Sequence, residues 1–412
     1  MSSKLFVIDN NVHSAFREHE EEVHHSRFMT AAICDSPRMR LVLSVLLLVP
    51  ALAAADPAPH EFLHEAKTLL VVGACAEGTP PETIKPAIVE AHCKVLKKSQ
   101  DQYKTDWMAK ADAFFAQIVP KTVPKTVVYP FAGGDLGTAL TVYPDADQIT
   151  TLSLEPAGDP LDLGRLSERE LRAALGTVEK ELGSLYRANF SVTMNMITAM
   201  RGGQLPTQLI FSLSALQLHG YELTSLRYFK LSADGEIAYL TDADVAAAEK
   251  IKDAHARNRE FANVELKFHK IGGTHEQVYR HILANLDDAH LKKDPSALKH
   301  LEKQGHVAGM TKAASYLLTF DDFSKMRQYV IDHVDWMVSD STGLPPKYGE
   351  PAGFTYETHG AFLTSNMAAG SSVAPVYKKM FAEQPKRPLD FRFGYPDGTH
   401  HSGHLIVMKR TH

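Results

Sequence analysis

Cysteine is scarce in this chain, with three among 412 residues. Cys34, Cys75 and Cys93 include no pair with the two-residue spacing of a redox motif or zinc ribbon. No apolar run reaches the roughly 18–20 residues needed to span a bilayer. Charge of one sign is also lacking. Lys and Arg number 44 against 49 Asp and Glu, a net charge of −5. Without a basic stripe to neutralise phosphates, nucleic acid is excluded as a partner. Neither a G-x-S-x-G elbow nor an H-E-x-x-H helix occurs. What remains is an ordinary globular composition, 44% hydrophobic and 23% charged. A chain of this length buries a core without metal or disulfide staples, as one large domain or two.

The N-terminus carries a three-part export signal. Arg38-Met39-Arg40 precede the apolar run Leu41 to Val49. Pro50 stops any helix, and Ala51-Leu52-Ala53-Ala54-Ala55 supply small residues before Asp56. Cleavage is expected before Asp56, with Ala51 and Ala53 marking a second site and an uncleaved anchor the alternative. Residues 1–38 hold His19 to Glu22, His24 and His25, unlike a short basic flank. They are expected to be a non-native leader, with translation starting at Met39, or else a regulatory or metal-binding tail. The expected compartment is the periplasm or cell envelope, with membrane contact only through the signal. There Cys75 and Cys93 either form a bridge or stay as two buried thiols.

Hydrophobic periodicity predicts helices over 58–118, ended by Pro120 and Pro124. Thr126 to Pro130 reads as a strand, Ala132 to Gly137 as a glycine turn, Thr138 to Tyr143 as a short helix and Gln148 to Leu154 as a second strand. Ser167 and Glu170 form a capping box for a helix to about Tyr186. Helices are expected over 191–200 and 206–218. A hairpin follows at 223–240 around Ser232-Ala233-Asp234-Gly235. A helix capped by Asp242 or Asp244 is expected to reach Arg259. A second strand–glycine turn–helix unit is expected at Val264 to Leu286. Helices are expected over 295–304, 310–318, 323–338 and 376–382. Strands are expected over 354–363, 389–393 and 405–409, the last two pairing as a C-terminal hairpin. The fold class is therefore α/β (or α+β): a mixed sheet with Rossmann-like strand–turn–helix units behind a helical N-terminal segment. The mature chain divides into 56–260 and 261–412, the second half packed on the first.

Three segments carry a resemblance: Tyr129-Pro130-Phe131-Ala132-Gly133-Gly134-Asp135, then Tyr143-Pro144-Asp145-Ala146, then Leu154-Glu155-Pro156-Ala157-Gly158. Lys312 to Leu317 and Asp340-Ser341-Thr342-Gly343-Leu344-Pro345 add to it. Over about Glu61 to Val407 the chain resembles a family of uncharacterised exported bacterial proteins. The resemblance implies export and an intact single protein, and no reaction. The family has Ser and Pro where this turn has Ala132 and Gly134, and it lacks the His400-His401-His404 cluster.

Candidate chemistry gathers at strand ends. Asp135 follows the first strand and Glu155 the next, about twenty residues on. That is the layout of a nucleotide-binding βα turn, and it is similar to the first motif of class I methyltransferases. The glycine spacing is not the standard one, so a solvated structural turn is the competing reading. Asp135, Glu155 and Asp340 are the candidate catalytic carboxylates, with Asp159 near them, able to divide acid and base work on a glycoside, ester or amide. Lys312 and Ser315 show serine–lysine spacing in reverse order. His400, His401 and His404 have metal-ligand spacing, but a polar loop is the expected reading. No metal and no cofactor are implied. A binding or structural role leads, for a small molecule or an envelope component. An exported hydrolase and a Rossmann-like nucleotide-binding or methyltransferase-like protein are the alternatives.

Overall fold

The computed structural model describes residues 57–160, 163–189, 206–362, 373–395 and 403–411. The signal segment, the 191–200 helix and the residues His400 and His401 lie outside them. Residues Ala58–His412 form one compact unit. No described helix is long and apolar enough to cross a membrane.

The unit is an α/β protein built on a ten-stranded mixed sheet. Its strands are β1 (Thr126–Pro130), β2 (Gln148–Ser153), β3 (Tyr221–Leu231), β4 (Ile237–Tyr239), β5 (Asn263–Lys270), β6 (Gln277–Leu283), β7 (Val307–Thr311), β8 (Val334–Ser339), β9 (Phe354–Gly360) and β10 (His404–Arg410). They lie in the order 4-3-5-6-2-1-7-8-10-9. The five central strands, 6-2-1-7-8, are parallel, and the antiparallel pairs flank them. The chain leaves β1 toward β2 on one side and returns to β7 on the other. That reversal is a topological switch point, where open α/β sheets take ligands.

Helices α1 (Leu63–Val72), α2 (Pro86–Tyr103), α3 (Ala109–Ile118), α4 (Leu136–Val142), α5 (Glu168–Ala188) and α6 (Thr207–Leu218) cover one face. Val127, Tyr129, Ile149, Met310 and Val338 point into that core. Helices α7 (Asp242–Ala248) and α8 (Ala254–Glu260) follow the β3–β4 pair. On the opposite face, α9 (Asp288–Lys293), α10 (Ser296–Glu302) and α11 (Ser324–His333) pack on Val128, Leu152, Ile282 and Met337. The switch from Val127 to Val128 between cores is the two-residue period of a strand buried on both faces. A short α12 (Pro346–Gly349) and α13 (Ala374–Glu383) complete the elements. The α5 capping box is formed as expected, Ser167 and Glu170 each bonding the other's backbone N–H. Leu171, Leu175, Val178 and Leu182 give α5 its buried stripe, and Asn189 ends it in the left-handed region.

Several expected elements differ. Residues 275–286 hold strand β6, not a helix, and β5–β6 is an antiparallel hairpin around Gly272 at φ 78°. Gln277, Tyr279 and His281 alternate with Val278 and Arg280, a two-residue period. The 310–318 segment begins as the end of β7, whose five residues are all buried. A continuously apolar strand of this kind looks like a buried helix by periodicity. For the same reason the single helix expected over 323–338 is α11 followed by β8. The 242–259 helix is two, capped by Thr241 and Asp253. At the C-terminus β10 lies between β8 and β9, and 389–393 forms no strand. Pro385 and Pro388 lack the N–H groups a ladder needs.

Candidate functional site

β1 and β2 run parallel in register, Pro130 opposite Leu152. Asp135 and Glu155 therefore follow the carboxyl ends of adjacent strands. Lys312 follows β7, and Asp340 follows β8, so all four lie beyond the same edge of the sheet.

Asp135 is tied to its own turn and to β7. Its carboxylate accepts from Tyr129 at 2.9 Å and from Thr138 at 2.7 Å. The Lys312 ammonium lies 2.7 Å away, with both side chains almost wholly buried. Lys312 also donates to Thr138 and faces the rings of Trp107 and Phe393. Burial pushes the Lys312 ammonium below its ordinary range, while Asp135 and Asp340 oppose that shift. Burial, reinforced by Asp135, holds the Tyr129 phenol well above its usual range. Asp135 and Lys312 thus bolt the two strands on either side of the switch point together.

Asp340 is saturated with donors. It accepts from the backbone N–H groups of Ala313, Thr342 and Tyr395 and from the Thr342 hydroxyl. It laces three loops together and is fully buried. Asp159 pairs with Arg257 at 2.7 Å.

Glu155 differs from all of these. It is 0% exposed, and neither carboxylate oxygen has a hydrogen-bond partner among the described residues. Its carbonyl is occupied, lying 2.7 Å from His281 Nε2. Burial lowers the His281 pKa to about 4, with that carbonyl partly opposing, so the imidazole is neutral. The structure brings Asp135, Lys312 and Asp340 into one electrostatic neighbourhood, and no hydrogen bond or ion pair among the described residues joins Glu155 to it.

The glycine turn is filled from inside the protein. A Cβ on Gly134 would lie 2.7 Å from the Phe211 ring of α6. The hollow beside it, about the size of a water molecule, is lined by Tyr103, Asp135, Tyr186 and His219, but not by Glu155 or Asp340.

Backbone strain collects at the same edge. Phe131, Ala313, Ser315 and Tyr316 have φ of 60°, 52°, 51° and 60°. Bulky residues are outliers in this left-handed region, and such strain gathers at functional sites. Phe131 follows β1 and the other three follow β7, so they flank the switch point. Sequence reading gave no sign of the last three, because it placed 310–318 in a helix.

Among the described residues, one group has the proximity to hold a metal ion: Cys75, His92 and Cys93. The two sulfurs are joined in a disulfide with Cα atoms 5.5 Å apart. Both His92 nitrogens are engaged, by Glu179 and by the Gly73 carbonyl. The bridge is compatible with an oxidising compartment. The chain matches no protein-family model, no curated protein and no solved structure.

Proposed function

We propose that this chain is an exported, Rossmann-like binding protein for a small nucleoside-bearing ligand, with Glu155 receiving the ligand's hydroxyl or amino hydrogens. The observation that carries the reading is the Glu155 carboxylate, buried with both oxygens unpartnered. A buried carboxylate without donors is costly, and proteins hold one where a ligand supplies them. Its place supports the ligand class: an acid at the end of the second strand of a 3-2-1-4-5 sheet is where ribose hydroxyls are bound. Counting only β6, β2, β1, β7, β8, β10 and β9, the order resembles the sheet of class I methyltransferases, including its inserted antiparallel strand. The Phe211 ring packs so closely on Gly134 that a Cβ there would lie 2.7 Å from it, which counts against a pyrophosphate on that glycine. The reading therefore favours a nucleoside or nucleoside thioether over a dinucleotide.

Thermal melts of the mature chain with adenosine, S-adenosylhomocysteine, NAD and glucose test this. A ligand at 100 times its Kd stabilises by about 2.7 kcal/mol. For a unit of roughly 350 residues, that raises Tm by about 4 °C. A nucleoside should give the shift, NAD should not, and Glu155→Ala should abolish it. No shift with either nucleoside ligand, or an equal shift in Glu155→Ala, refutes the reading.

A further inference from the structure

A second cluster lies beyond the end of β8, and no part of the Glu155 reading uses it. The Ser341 hydroxyl oxygen is 2.9 Å from His404 Nε2, the distance of a nucleophile from its general base. Tyr316 OH lies 3.2 Å from the same oxygen. These two contacts fit one directed chain. With the His404 proton on Nδ1, Nε2 accepts the Ser341 proton, and the Tyr316 phenol donates to the Ser341 oxygen.

The elements explain why the side chains meet. β8 delivers Ser341 two residues past its end. β10 runs antiparallel beside β8 and begins at His404, so both residues come to the same edge. The Asp340 lattice of four donors fixes the turn that carries Ser341. Tyr316 is aimed by the strained left-handed pair Ser315-Tyr316. The wall around the cluster is apolar: Tyr316, Phe362, Tyr377, Phe381 and Ile406 are all buried there. The rings of Phe362 and Phe381 stand edge-on to the His404 imidazole.

We propose that Ser341 and His404 form a nucleophile–base pair for acyl transfer from carboxylic esters with a small apolar acyl group. Ser341 Oγ attacks the ester carbonyl carbon while its proton passes to His404 Nε2. The carbon–oxygen bond to the leaving alcohol breaks, and His404 returns the proton to that oxygen. Water then attacks the acyl-serine, giving its proton to His404. The carboxylic acid leaves as Ser341 regains its hydrogen. Tyr316 is a positioning residue that orients the Ser341 lone pairs. Ser341 is 0% exposed and His404 4% exposed. The pair is therefore held dry, substrate enters by local opening of the aromatic wall, and turnover is slow.

The test uses the mature chain, phenylmethylsulfonyl fluoride as the covalent probe and p-nitrophenyl acetate as the substrate. Peptide mapping should find the sulfonyl group on Ser341 in the native protein and not in protein unfolded in urea. Ser341→Ala should abolish esterase activity, and His404→Gln should lower it by about 100-fold or more, with melting curves near that of the parent. Native protein left unlabelled at Ser341 overturns the proposal, even if the variants misfold. So does label on Ser341 that is as strong after unfolding, or activity unchanged in His404→Gln. The readout here is covalent label on Ser341 and ester turnover, not a nucleoside-dependent thermal shift, so the outcome is separate from that of the ligand-binding test.

Discussion

Replacing Asp135 by Asn separates a structural acid from a ligand-binding one. The substitution keeps the shape and removes the charge. It leaves the Lys312 ammonium, at 1% side-chain exposure, with the Thr138 hydroxyl and two aromatic faces. Breaking a buried pair by removing one partner costs about 3–5 kcal/mol, because the other charge stays buried and unpaired. Unfolding entropy for roughly 350 residues is about 0.7 kcal/mol/K, so Tm should fall by about 4–7 °C. Lys312→Met in the same chain removes the stranded charge. The double variant should recover at least half of the loss, giving a favourable coupling of about 1–3 kcal/mol in a double-mutant cycle. Urea melts of the four proteins measure it. If Asp135→Asn stays within about 0.5 kcal/mol of the parent, the bolt does not carry load. The structural assignment of Asp135 is then wrong.

Acid should also weaken the fold through His281, whose folded pKa is about 4 against an ordinary 6.5. Between those values the unfolded chain binds the proton and the folded chain does not, so stability rises with pH across that window. His281 should account for about 3 kcal/mol of the stability lost between pH 7 and pH 4, and a loss undiminished in His281→Gln contradicts the assignment. Reducing the Cys75–Cys93 bridge should cost about 3 kcal/mol through loop entropy. Thiol titration of the native protein without reductant should find neither sulfur, and finding both would count against the bridge. Gly134→Ala should cost about 1–3 kcal/mol by overpacking, measured by urea melts. Adding Phe211→Leu should recover much of that loss, and no recovery would mean the ring is not what the turn accommodates.

The local signals in the sequence carried through to the fold. The Ser167–Glu170 capping box, the Gly235 hairpin and the β1–turn–α4–β2 unit are all properties of neighbouring residues, and each is present. The parallel centre was harder to see. β7 and β8 are buried on both faces, so they show a solid apolar run in place of alternation and merge with the helices beside them. That loss hid the site as well. With Lys312 assigned to a helix, nothing linked it to Asp135, which is 177 positions away in sequence. Ser341 and His404 were each legible as polar residues in loops. Their meeting depends on β10 inserting beside β8, a long-range pairing that the expected C-terminal hairpin of 389–393 with 405–409 gave no reason to expect. Glu155 was placed at a strand end from its spacing alone, but its lack of partners is a property of the packed interior.

The physical state of the three acids argues for where a ligand engages this edge. In a Rossmann-like sheet the crevice at the switch point is normally the open place, yet here Asp135 and Lys312 tie β1 to β7 across it. The turn that would admit a phosphate takes the Phe211 ring. Asp340 spends its oxygens on three loops, so a ligand competing for it would have to release Ala313, Thr342 and Tyr395 together. Each of those groups is worth more to the fold satisfied than exposed. Glu155 is the exception among the buried described acids. Its oxygens accept nothing from the described residues, and burial makes that state expensive. A ligand donor reaching Glu155 gains a charged hydrogen bond and displaces no protein donor to get it. Binding at the proposed site should therefore favour the β2–β6 side of the switch point over the β1–β7 side, with Glu155 as the anchor.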